Sequence, residues 1–335
     1  MVAPGLQLRW RPFALALPRP LQTARAPLTH KRGWLLQVRS ASGGLGWGEA
    51  ASLEPDPALE QVIKALGPEP ERCALEADLA AGRLPGPVAF ALGAALAEAD
   101  GLLKSGWLAP PPSAQLLPAG PDALAALETA LEAALEAALE AAQLPAGPLG
   151  GTGPSFKWKV AVHSDSEERA LLEQLLARLP AAARLRLDAN GRWDRATATA
   201  WVDRLTDESR LQWLEQPLDP ADQAGLEALA ARLPVALDES LSASPPLRQS
   251  WPGWQVRRPS QDGDPRPLMA ELTARRPRLM LSTAFETGIG LRWLYHLAAL
   301  QALGPTPAAP GLAPGWQLGG GWASADPWQV WEAAA

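Results

Sequence analysis

The chain has 335 residues, 30 basic and 36 acidic side chains and a formal net charge of −6, a length that suits one large or two unequal domains. Apolar residues at 47% and charged residues at 20% exclude wholesale disorder, no block of lysine or arginine offers a nucleic-acid surface, and no apolar run reaches the roughly 18 residues of a membrane span. The single cysteine, Cys73, cannot form an internal disulfide and fits a reducing compartment. The apolar run Phe13–Leu17 stops at Pro18, too short for a signal-peptide core, so a cytoplasmic protein without a targeting segment is expected.

Taken in chain order, residues 5–10 and Leu35–Arg39 read as short strands. The segment Pro18–Arg32 between them carries three prolines and is expected to be a loop. The stretch Gly43–Ala50 starts as a glycine turn and enters a further short strand. Helices are expected over 57–66 and 87–105, and Pro110-Pro111-Pro112 marks a boundary, so residues 1–112 read as a small α+β unit. Beyond it, Gln115–Pro118 is a strand. Asp122–Leu144 is a helix, with Leu124, Leu127, Leu131, Leu135 and Leu139 three or four apart. Strands are then expected at Phe156–Val162, Arg184–Asp188, Leu211–Glu215, Val235–Asp238, Gly253–Arg258 and Arg278–Ser282. Helices between and after them fall at Glu167–Leu179, Arg195–Leu205, Ala221–Arg232, Pro267–Arg275 and Gly290–Leu303. A β-α unit of about 25 residues repeated in this way predicts an α/β fold with its parallel sheet closed into a barrel, an open doubly wound sheet being the alternative. No Gly-x-Gly-x-x-Gly stands at a strand-to-helix turn, and Gly44-x-Gly46-x-Gly48 precedes a strand, which reads as a turn rather than a nucleotide site.

Three of the strands end in an acid: Asp188, Glu215 and Asp238, separated by 27 and 23 residues. In a barrel, successive strands deliver such residues to neighbouring points of the C-terminal rim, where barrel active sites lie. Three converging carboxylates repel unless a cation neutralises them. Oxygen ligands without cysteine or histidine favour Mg²⁺, with Mn²⁺ as a substitute. His30, His163 and His296 share no motif, which argues against zinc. The competing reading is that the acids are helix N-caps, common for aspartate in β-α loops.

Lysine is scarce. Only Lys31, Lys64, Lys104, Lys157 and Lys159 occur, and none follows Lys159. Lys157 and Lys159 flank Trp158, so the period of two points both to one side of the strand. Two neighbouring ammoniums depress each other's basicity, and a lysine tuned towards neutrality can act as general base on a carbon acid. A base with a divalent metal suggests removal of a proton next to a carboxylate, with the metal stabilising the enediolate.

These residues resemble the enolase superfamily, and within it the muconate-lactonizing-like branch. The motifs are Lys157-x-Lys159, Asp188-Ala189-Asn190, Glu215-Gln216-Pro217 and Asp238-Glu239-Ser240, supported by Gly46-Trp47-Gly48-Glu49-Ala50 and Ser282-Thr283-Ala284-Phe285-Glu286. The resemblance implies a modified (β/α)7β barrel, residues 113–318, that carries the active site. It also implies an α+β capping domain, residues 1–112, rejoined by 319–335. It implies Lys159 as base, Lys157 as its tuning partner, Asp188, Glu215 and Asp238 as Mg²⁺ ligands, and Asn190 and Glu239 as groups that orient those ligands. Ser282 and Thr283 are expected to hold the carboxylates of a small-molecule substrate, and the segment Pro18–Arg32 to act as a lid. The chain departs from the family at Arg258-Pro259-Ser260, where a second lysine is usual. Arginine is a poor base, though it offers positive charge. Racemisation needs a base on each face of the substrate, whereas a syn dehydration needs one.

The implied activity is that of a carbon–oxygen lyase. It would convert 2-succinyl-6-hydroxy-2,4-cyclohexadiene-1-carboxylate to 2-succinylbenzoate in menaquinone or phylloquinone synthesis. A cycloisomerase, an N-acylamino acid racemase, a dipeptide epimerase and a non-catalytic acid-binding barrel are the alternatives.

Overall fold

Two long antiparallel strands, β1 (Gln7–Gln22) and β2 (Pro27–Arg39), start the fold. The computed structural model describes residues 6–22, 27–141, 153–316 and 318–334. The proline-bearing segment 18–32, expected as a loop, is therefore mostly strand: Leu15 pairs with Lys31 and, after a register break between Ala16 and Leu21, Leu21 pairs with Leu28. Pro18 and Pro20 fall inside that break, and β1 is an edge strand. A residue without an N–H is tolerated in both places. Residues 23–26, where a lid would have its tip, lie outside the described residues.

Strand β3 (Leu45–Ala50) completes this sheet, pairing antiparallel with β2. Helices α1 (Ala58–Leu66), α2 (Arg72–Ala80) and α3 (Gly86–Ala99) follow. Glu71 caps α2 by accepting the N–H groups of Cys73 and Ala74. Helix α3 stops six residues before its expected end, at Asp100 and the left-handed Gly101.

The stretch Gly43–Ala50 does start as a turn, with Gly43 at φ 87°, but Gly44 just before β3 and Gly46 and Gly48 within it form a packing face. A Cβ at Gly44, Gly46 or Gly48 would stand 2.0, 1.8 or 2.0 Å from the carbonyl oxygens of Ala99, Ala95 and Ala91 of α3. Two strand residues advance about 6.7 Å and four helix residues about 6 Å, so glycine and alanine keep step along the contact. Gly46→Ala is expected to destabilise the protein by about 3 kcal/mol or more, because the obstructing atom is backbone and cannot rotate away. A denaturant melt that moved by less than about 0.5 kcal/mol, the range usual for neutral sites, would show that strand and helix can separate cheaply.

The chain divides into two compact units, Met1–Pro112 with Arg257–Ala335, and Ser113–Val256. In the second, β4 (Gln115–Leu117) and α4 (Asp122–Ala141) lead into β5 (Ser155–Lys159), α5 (Asp165–Arg178), β6 (Arg184–Asp188), α6 (Arg195–Leu205), β7 (Leu211–Glu215), α7 (Gln223–Ala230) and β8 (Val235–Leu237). The expected last turn of the helix before β5, up to Leu144, lies outside the described residues. Short helices α8 (Glu239–Ala243) and α9 (Leu247–Ser250) precede β9 (Trp254–Arg257). After it come α10 (Pro259–Asp262), α11 (Pro265–Thr273), β10 (Leu279–Leu281), α12 (Gly288–Ala302) and α13 (Pro327–Ala333).

The parallel strands run in chain order from β4 to β10. One face of this ladder is greasy: Phe156, Trp158, Leu185, Leu187, Leu214, Val235 and Leu237 are all buried in one cluster with Leu172 and Leu175 of α5 and Trp201 of α6. Strand alternation puts Lys157, Lys159, Arg186, Asp188, Trp213 and Glu215 on the other face. Among the described residues, no helix is long and apolar enough to cross a membrane.

Candidate active site

Strand β5 places the two lysines. Phe156, Trp158 and Val160 are fully buried in the apolar cluster, so the alternation turns Lys157 and Lys159 the other way. Lys159 stands level with Asp188, and Asp188 level with Glu215, in adjacent strands. Glu215 is level with Ala236, and Asp238 lies two residues beyond it on the same face. All three acids are buried, Glu215 completely. Asp238 precedes α8 but makes no side-chain capping bond to it, so the N-cap reading does not account for it.

The Lys157 ammonium lies 2.7 Å from Oδ2 of Asp188 and 2.6 Å from Oε1 of Glu215. It is a counter-charge for the acids. With it there, no three acidic, histidine or cysteine side chains among the described residues are gathered around one point as a metal-holding group. The donor chemistry nonetheless suits a hard divalent cation: buried carboxylates only, with repulsion among them. Burial pushes the Glu215 carboxyl up to about 7, with Asp188 and Asp238 adding to the rise and Lys157 opposing it. Glu239 is likewise pushed up to about 7, by burial and then by Asp238 and Asp188. Two buried acceptor oxygens, Oδ1 of Asn190 and Oε2 of Glu239, have no hydrogen-bond partner. Unpaired buried acceptors carry a desolvation cost that a cation or a donor would relieve.

Lys159 has its pKa lowered, chiefly by burial; Arg192 and Lys157 add to the lowering, and Asp188 and Glu239 oppose it. Repulsion between paired lysines, expected from their spacing, is thus a minor cause. Lys157 spends its charge on Asp188 and Glu215.

Asn190, in the left-handed region at φ 47°, donates its side-chain amide to Oε1 of Glu239 at 3.0 Å and its backbone N–H to Oδ1 of Asp188 at 3.0 Å. It ties Glu239 and Asp188 together. Two further groups carry no role in the sequence reading. Gln216, fully buried, donates to the Ser240 hydroxyl at 2.7 Å and the Leu218 carbonyl at 2.9 Å. Its Oε1 accepts the N–H groups of Asp238 and Ser240. It pins the ends of β7 and β8, and so the acids on them. Arg186, also fully buried, lies on the same face as Asp188, two residues earlier. Its guanidinium is 4.2 Å from the centre of the Trp213 ring, and its Nε donates to Gln212 at 2.7 Å. The two-residue spacing from Asp188 was the signal available for it.

Arg258, Ser282 and Thr283 are brought together in the first unit. Arg258 donates to Oγ of Ser282 at 3.3 Å and to the Thr283 carbonyl at 2.8 Å. The Thr283 hydroxyl donates to Glu286 and accepts the Phe285 N–H, and its own N–H goes to Gly311. Both its donors are committed, the hydroxyl within its own loop and the N–H to Gly311.

Residues 130–250 match the family model described as Enolase C-terminal domain-like. The o-succinylbenzoate synthase of Thermosynechococcus vestitus is 35% identical over 308 residues, 87% of this chain and 88% of that protein. A solved o-succinylbenzoate synthase from Thermosynechococcus elongatus BP-1, complexed with magnesium in its active site, superposes with a TM-score of 0.73 at 29% identity, covering 98% of this chain and 99% of that one. The L-Ala-D/L-Glu epimerase of Bacillus subtilis shares the fold, with a TM-score of 0.65 at 20% identity over 90% of this chain and 88% of its own.

Proposed function

We propose, from the premise that this chain belongs to the o-succinylbenzoate synthase family of the enolase superfamily, that it carries out a magnesium-dependent syn dehydration. The substrate is 2-succinyl-6-hydroxy-2,4-cyclohexadiene-1-carboxylate and the products are 2-succinylbenzoate and water, on the route to menaquinone or phylloquinone. The chain is a hydro-lyase with the family's fold, a modified α/β barrel with an N-terminal capping domain. The observation that carries the reading is the rung Lys159–Asp188–Glu215, with Asp238 just beyond it.

Asp188, Glu215 and Asp238 would hold Mg²⁺, or Mn²⁺ in its place, and the bound cation would supply positive charge to the substrate carboxylate as the neighbouring carbon loses its proton. Asn190 and Glu239 keep the ligands in place. Lys157 guards the acids' charge. Lys159, with its basicity lowered by burial, takes the α-proton on Nζ and returns it to the departing hydroxyl on the same face. One C–H and one C–O bond break, the ring becomes aromatic and water leaves. Arg258 and Ser282 hold the substrate's carboxylates, and Thr283 shapes the loop that carries them. No lysine follows Lys159 in this chain, so a two-base racemisation has no amine for the second face. The site boundaries within 113–318 and a cytoplasmic location belong to the same proposal.

The test is a direct assay with the cyclohexadiene substrate. Turnover is expected, lost on EDTA treatment and restored by Mg²⁺. Turnover that survives exhaustive chelation would remove the metal from the reading. Failure with the diene alongside activity on N-acylamino acids would replace the lyase with an epimerase.

A further inference from the structure

Lys31 is one of only five lysines in the chain, and it is buried on β2, 3% exposed. Its ammonium lies 3.0 Å from Oε1 of Glu49 on β3, itself 1% exposed. The same ammonium donates to two consecutive carbonyls of the loop after β10, Ala284 at 3.0 Å and Phe285 at 2.8 Å. The other oxygen of Glu49 accepts the N–H of Thr287 at 2.8 Å and its hydroxyl at 2.6 Å. Thr287 precedes α12 as its N-cap residue, yet its side chain does not cap that helix; it is spent on Glu49. Phe285 is held in the left-handed region at φ 62°, a conformation that a bulky residue keeps only when its surroundings impose it. Gly290 leaves the room for this arrangement: a Cβ there would come within 3.0 Å of Oε2 of Glu49 and 2.8 Å of Cβ of Glu286.

We propose that Lys31 and Glu49 are positioning residues for substrate binding: together they clamp residues 284–287, and so set the place of Ser282 and Thr283 on the same loop. This rests on the reading of that loop as a carboxylate-binding element. A buried ion pair gains little stability over a well-packed apolar pair, so stability alone gives no reason for one here. Its directionality does. Four polar contacts from one pair converge on one turn of backbone and one hydroxyl, and apolar side chains could not dictate the φ of Phe285 in that way. Elsewhere the loop is held by Arg258 and Gly311 at Thr283 and by Ser260 at Glu286; the clamp is what ties residues 284–287 to β2 and β3.

The test uses the full chain in three variants: Lys31→Met/Glu49→Gln, which removes both charges together, Lys31→Arg, which keeps the charge but changes its reach, and Gly290→Ala, which crowds Glu49. Two readouts are taken: amide hydrogen exchange of the peptide spanning 282–290, which needs no substrate, and the KM and kcat of diene dehydration. In the double variant, exchange of the 284–287 amides is expected to quicken about tenfold or more, and KM to rise about tenfold with kcat falling less than about threefold. Gly290→Ala should move both in the same direction by less, and Lys31→Arg should recover part of the loss. Unchanged exchange in folded variants overturns the clamp. Faster exchange with unchanged KM makes it structural only and overturns the positioning role. If the double variant does not fold, Lys31→Arg and Gly290→Ala decide by the same two readouts. Should the parent enzyme fail to turn over the diene, the proposed function is wrong, while the exchange result still judges the clamp.

Discussion

Lys159→Ala abolishes dehydration if Lys159 is the base. A general base is worth roughly 10²–10⁴ in rate, and here one amine serves as acceptor of the α-proton and donor to the leaving hydroxyl. The loss in kcat is therefore expected at or beyond the upper end of that range. Lys159→Arg keeps a positive charge but holds its proton at all working pH values, so it should be about as inactive. That result separates a proton carrier from a mere positive charge. Hydrogen exchange in D₂O gives a second view: the parent should exchange the α-proton of an N-succinylamino acid of one configuration, and Lys159→Ala neither. Comparable exchange of both enantiomers by the parent would mean a working base on each face, and a Lys159→Ala variant within tenfold of the parent would take the residue out of the chemistry.

Glu215→Gln should cost at least about 10²-fold in kcat, since a cation's stabilisation of developing charge amounts to several kcal/mol. The substitution keeps shape and removes one charge from a fully buried group crowded by Asp188 and Asp238. Without added metal the variant loses the repulsion from Asp188 and Asp238 but also the ion pair to Lys157, so its stability is expected to change little. The decisive contrast is in magnesium. A ligand at about one hundred times its Kd adds about 2.7 kcal/mol to the native state, worth a rise in Tm of roughly 4 °C for a chain of this length. The parent should show this rise and Glu215→Gln should not. Equal Mg²⁺ shifts in both proteins would place the ion elsewhere.

Much of the site's placement follows from local pattern. The period-two spacing of Lys157 and Lys159, and apolar strands ending in Asp188 and Glu215, are near-neighbour signals that survive in the sequence without any knowledge of packing. The groups that support them are less visible. Gln216 matters because its amide reaches Ser240 and Leu218 together, and nothing in a lone glutamine announces that. Lys31 acts on carbonyls some 250 residues further along. The glycines of β3 read as a turn because glycine is ambiguous in one dimension. Only the backbone of α3 lying against them makes their function plain. The prolines of β1 misled for a related reason: proline excludes an interior strand, but edge position and a register break are properties of the sheet. Short terminal elements were also hard to read. Helix α13 has only seven residues, though Asp326 followed by Pro327 is a sound start signal.

Lys159, Asp188 and Glu215 share one rung of a parallel ladder, and this makes the sheet's register a ruler for proton transfer. A slip of one residue between β5 and β6 would turn Asp188 into the layer now filled by Trp158 and Leu187. A slip of two would keep it on the proper face but shift it about 6.6 Å along the strand, out of its rung with Lys159. Side-chain identity at these positions is therefore worth nothing without the greasy residues between them. Mutational drift in Phe156, Trp158, Leu185 or Leu187 should be read out in kcat as well as in Tm, since those side chains hold the strands in step.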